Sequence, residues 1–142
     1  MDIVVENLQK KVALNRPQIK TLVTTILRHE AVKDYSLSVV FVTRQKIQAL
    51  NKQFLKRSYA TDVLSFDLRQ EKKDRKLVGD IIISTDAVIK NAKIYKTTVP
   101  KELTLYVIHG ILHLLGYDDH LPKDIARMRR KEEKLLSLLK RT

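Results

Sequence analysis

The sequence predicts an α+β fold of two or three layers, and three observations lead there. Four short stretches rich in β-branched and aromatic residues are mixed with five stretches whose apolar residues recur at helical spacing. A chain of 142 residues is long enough to bury a real core as one domain. No repeat or low-complexity linker divides it. Residues 1–142 are therefore expected to form a single domain of four strands and about five helices.

Asp2 to Asn7, with Ile3, Val4 and Val5, reads as a strand. Arg16-Pro17 opens a helix, since a first-turn proline lacks only an N–H that would have no helical partner; Ile19, Leu22, Val23, Ile26 and Leu27 share its inner face. Tyr35 to Val42 follows as a strand, with Leu37, Val39 and Phe41 on one side and Val40 and Val42 on the other. Thr43 is a suitable N-cap for a helix that ends near Leu55 and sets Ile47, Leu50, Asn51 and Phe54 on one side. A polar, basic link over 56–62 enters the strand Val63 to Asp67, and the charge run over 70–76 forms a solvated hairpin loop. Residues 78–84 make the fourth strand. Ser84 or Thr85 caps the next helix, with Ala87, Val88, Ala92 and Ile94 inward and Lys90, Lys93 and Lys96 outward. Pro100 begins a fourth helix, apolar on nearly every side, and Pro122 begins a fifth with a stripe of Ile125, Met128, Leu135, Leu136 and Leu139.

Lys and Arg number 28 against 16 Asp and Glu, a formal charge of +12, which suits a polyanionic partner such as nucleic acid. The absence of cysteine excludes disulfides and thiolate metal sites, leaving His and carboxylate donors for any ion. The N-terminus has no secretory pattern, and the longest apolar segments fall short of the ~20 residues that span a bilayer. A cytoplasmic protein is expected.

Chemistry concentrates at residues 109–120, His-Gly-Ile-Leu-His-Leu-Leu-Gly-Tyr-Asp-Asp-His, which hold three of the four histidines. His109 and His113 are one helical turn apart and can present two imidazoles to one ion. Gly116 fits the left-handed position that stops a helix. The turn would bring Asp118, Asp119 and His120 back toward the pair, providing a third donor and leaving one position for water.

These twelve residues, with Leu50-Asn51, Thr61-Asp-Val-Leu-Ser-Phe66 and Gly79-Asp80-Ile81, resemble the YbeY family of bacterial endoribonucleases over residues 39–117. The resemblance implies a mixed four-stranded sheet with helices, similar to zinc-dependent proteinases, and one zinc ion (Zn) held by three histidines. It further implies cleavage of single-stranded RNA in small-subunit rRNA maturation and ribosome quality control, with the small ribosomal subunit and assembly GTPases as partners. Two positions depart from the family pattern. The third histidine of the family directly follows Gly-Tyr-Asp, where this chain has Asp119 and then His120. The predicted ligands are His109, His113 and His120, with Asp119 as the alternative third donor. The arginine that the family carries after the aromatic following Leu-Asn is Leu55 here, so Lys56 or Arg57 is expected to supply its charge.

A His-Glu-x-x-His peptidase uses the Glu beside its first histidine as general base, and Gly110 stands there instead. Phosphodiester hydrolysis needs no such carboxylate: zinc polarises a phosphoryl oxygen and acidifies its water, and an RNA 2′-hydroxyl is the other available nucleophile. Lys56 and Arg57 would stabilise the developing charge. Asp118 is a candidate to orient a ligand histidine, or else an Asx-turn residue. Asp62 and Asp80 are candidates for the cleft, or for local pairing; Ser65 reads as a sheet-face hydrogen bond; and Tyr59 and Tyr117 could stack on unpaired bases. The competing reading is a non-catalytic ribosome assembly factor that binds RNA and holds a structural metal.

Overall fold

The computed structural model describes residues 2–55, 61–71 and 73–140, so Lys56, Arg57 and Tyr59 lie outside the described residues. The elements are β1 (Asp2–Asn7), α1 (Arg16–His29), β2 (Tyr35–Val42), α2 (Arg44–Leu55), β3 (Val63–Asp67), β4 (Leu77–Ser84), α3 (Thr85–Ile94), α4 (Val99–Leu114) and α5 (Pro122–Lys140). The α+β reading holds. Helix starts are capped by short polar side chains, which accept from N–H groups left without helical partners. Asn15 accepts from the Gln18 N–H, Thr43 from Lys46, Ser84 from Ala87 and Thr98 from Lys101.

Strand order in the sheet is β1-β2-β4-β3. The first three pair in parallel, and β3 runs antiparallel to β4 along one edge, in the register that sets Val39 and Ser65 on either side of Ile81. Alternation along the strands separates two apolar layers. Leu37, Val39, Phe41, Ile81 and Ile83 join the core shared with α1, α4 and α5, whereas Val42, Leu64 and Ile82 pack with Ile47 of α2 on the other face. The sheet is thus covered on both sides. α4 lies on β3 and β4 and also touches α1, α3 and α5.

One inward assignment fails. Ile94 is 56% exposed, because it follows Ala92 by two residues, about 200° around the helix, and leaves the face that Val88 and Ala92 bury. Phe54 is 57% exposed; in the last turn of α2 it rests against Phe66 at 5.8 Å, edge to face, without entering the core. No helix of the structure is long and apolar enough to cross a membrane.

Candidate metal centre

α4 is set against the sheet by its glycine. A Cβ on Gly110 would lie 2.5 Å from Ile81 Cγ2, so the helix approaches β4 more closely than any side chain permits. Ser65 holds the contact by donating its Oγ hydrogen to the Gly110 carbonyl at 2.9 Å. With Gly110 on the sheet and Ile108, Ile111 and Leu112 fully buried, the half-buried His109 and His113 are left to face a cleft of about 910 Å³.

The helix stops as its glycine predicts. Gly116 has φ +98°, and its N–H and that of Tyr117 donate back to the carbonyls of His113 and Leu112 at 3.1 and 3.0 Å. Beyond the turn, Tyr117 and Asp119 are half-buried while Asp118 and His120 are exposed, an alternation expected of extended chain. Asp119 therefore reaches the histidines. His109 Nε2 and His113 Nε2 are 3.0 Å apart, and Asp119 Oδ2 lies 3.5 and 3.4 Å from them. A tetrahedral zinc about 2.1 Å from each donor holds its donors roughly 3.4 Å apart, so this triangle fits one face of such a site. The donor chemistry, two imidazoles and a carboxylate, suits the same ion.

His120 is not brought to this triangle. Its side chain is 76% exposed, with Nε2 3.4 Å from Asp118, yet it lines the same cleft and belongs to a second group of possible donors with Asp118 and Asp119. Asp118 accepts the N–H of the next residue, Asp119, at 2.7 Å, which is not the bond of an Asx turn, and the histidine beside it is the exposed His120. The carboxylate beside a donor histidine is Glu132 of α5, 3.5 Å from His109 Nδ1. Burial opposes the charged form of His109, but the hydrogen bond and charge of Glu132, and then of Asp119, outweigh it and raise its pKa above the usual value. Sequence reading missed Glu132. Its signal was present: it falls four residues after Met128 and three before Leu135, a carboxylate on the apolar stripe that had to find a partner.

Asp62 lines the cleft and accepts from the Tyr106 hydroxyl at 3.3 Å, while Asn91 Nδ2 donates to the Tyr106 oxygen. Burial and the neighbouring Asp62 raise the Tyr106 pKa, so its proton stays on. Asp80 does not enter the cleft; it alternates with Ile81 and so lies on the opposite face of β4. Tyr117 has its ring under Arg127, 5.0 Å from the guanidinium.

A family model described as endoribonuclease YbeY matches residues 4–140. The chain belongs to the YbeY family. Among its YbeY relatives, endoribonuclease YbeY of Syntrophus aciditrophicus is 36% identical, covering 98% of this chain and 90% of the relative. That of Alkaliphilus oremlandii is 35% identical over 98% and 97%. The solution structure of TM1509 from Thermotoga maritima superposes with a TM-score of 0.65 at 31% identity, covering 94% of this chain and 85% of that one. Asp119 stands where the resemblance led a third histidine to be expected, and its carboxylate lies beside His109 and His113.

Proposed function

We propose that this YbeY-family endoribonuclease is zinc-dependent and specific for single-stranded RNA, acting in small-subunit rRNA maturation and ribosome quality control. Its setting in this reading is the cytoplasm, with the small ribosomal subunit and an assembly GTPase as partners. The observation that carries the chemistry is the triangle of His109, His113 and Asp119 in the wall of the cleft. These three residues would hold one zinc. When bound, the ion supplies a Lewis acid for a phosphoryl oxygen and an acidified water.

The chain's own groups do the rest. Glu132 keeps the proton of His109 on Nδ1, so that Nε2 offers its lone pair. Tyr106, bound to Asp62 and Asn91, keeps its hydroxyl proton and stiffens the opposite wall. Gly110 faces the sheet, so no residue at that position can reach the cleft as a peptidase base. Lys56 and Arg57 precede Thr61 and Asp62, which line the cleft, and are proposed to meet substrate phosphates.

The test compares wild type with His113→Ala on one RNA offered as single strand and as duplex, after removal of contaminating nucleases. Zinc-dependent cleavage of the single strand by wild type alone supports the reading. If both proteins leave RNA bound but intact while chelation lowers Tm, the protein is instead an RNA-binding assembly factor with a structural metal.

A further inference from the structure

Among the described residues, the charged lining that a phosphodiester would meet in this cleft is mostly acidic. Among the described residues lining it, Asp62, Asp67, Glu102, Asp119 and Glu132 are acidic, and Arg129 is the one Lys or Arg. The charge of a divalent ion at the triangle would be partly offset by Asp119 and Glu132, so a further cation would help to hold a phosphate there. Arg129 also lines a recess of about 250 Å³ together with His109, Asp119 and Glu132. It precedes Glu132 by three residues, so both project from one side of α5.

Of the other basic residues nearby on α5, Arg130 is exposed and does not line the cleft, and two are already engaged. Arg127 covers the ring of Tyr117, and Lys131 pairs with Glu30 at 2.8 Å. Arg129 has no ion pair or side-chain hydrogen bond among the described residues. A free, planar guanidinium with five donors matches two phosphate oxygens at once, which an ammonium cannot do. We infer that Arg129 is a substrate-binding residue that grips the phosphodiester presented to His109, His113 and Asp119. The inference rests on the endoribonuclease reading and adds, from α5, a cation to the Lys56 and Arg57 already proposed to meet substrate phosphates.

Arg129→Gln, Arg129→Lys and Arg130→Gln are compared on one single-stranded RNA. Arg130 is exposed and does not line the cleft, so Arg130→Gln makes the same change in net charge without touching it. Arg129→Gln should lower kcat/KM by about 10- to 100-fold, the range for losing a charge-assisted phosphate contact near a reacting centre. It should also reduce the salt slope of RNA binding by roughly 0.7, the share of one phosphate contact on a single strand. Arg129→Lys recovers part of both, and Arg130→Gln changes neither. Zinc content and Tm stay at wild-type values throughout, which excludes a folding defect. Equal behaviour of Arg129→Gln and Arg130→Gln overturns the inference. If wild type cleaves no faster than His113→Ala, the endoribonuclease reading fails, and the binding slope alone decides Arg129.

Discussion

Replacing Gly110 by alanine tests the contact that orients the metal centre. Helix propensity alone favours alanine by about 1 kcal/mol in a helix interior. The structure predicts the opposite sign. The new methyl would lie 2.5 Å from Ile81 Cγ2, where carbon atoms prefer about 3.5–4.0 Å, so α4 and β4 must separate by about 1 Å or more. Overpacking of this kind costs about 1–3 kcal/mol. The same movement stretches the 2.9 Å bond from Ser65 to the Gly110 carbonyl, a loss of about 1 kcal/mol. The net expectation is a destabilisation of about 2 kcal/mol, read by urea unfolding as a lower midpoint at unchanged slope. Ile81→Ala, made in both backgrounds, should cost less in the Gly110→Ala protein, because it removes the clashing methyl. A Gly110→Ala protein as stable as wild type, or more so, refutes the tight seat and with it the reason why His109 and His113 face the cleft.

Two further outcomes follow from named contacts. Glu132→Gln weakens the partner of His109 Nδ1 and should lower zinc affinity by about 10- to 100-fold in a chelator competition; unchanged affinity removes Glu132 from the site. Asp86 accepts from Lys11 Nζ at 2.5 Å and from the Arg44 N–H at 2.7 Å, and these bonds hold its pKa below the ordinary aspartate value. A depressed folded-state pKa gives stability that is present above the unfolded value and lost as the pH falls through the folded one. Asp86→Asn should therefore cost about 1 kcal/mol at neutral pH, Lys11 being largely exposed, with the gap closing in acid. A gap independent of pH would contradict the ionic origin.

Element boundaries were legible because each depends on its own neighbours: Pro17, Pro100 and Pro122 mark first turns, and alternation in β2 separates Leu37, Val39 and Phe41 from Val40 and Val42. Strand order was not legible, since pairing β2 with β4 joins segments far apart in the chain. The histidine pair was visible as an i, i+4 spacing on a buried helix. Which of the two adjacent residues after Gly116 turns toward the pair was not legible, since it depends on the path of the loop; in the structure the Asp119 carboxylate lies beside both histidines. Glu132 could be seen as unusual only by its place on the α5 stripe; its partner, His109, lies on another helix.

The most direct measurement is zinc bound per chain in purified wild type, Asp119→Ala and His120→Ala. A centre built from His109, His113 and Asp119 predicts about one zinc in wild type and in His120→Ala, and its loss in Asp119→Ala. Zinc retained by Asp119→Ala and lost from His120→Ala would contradict it.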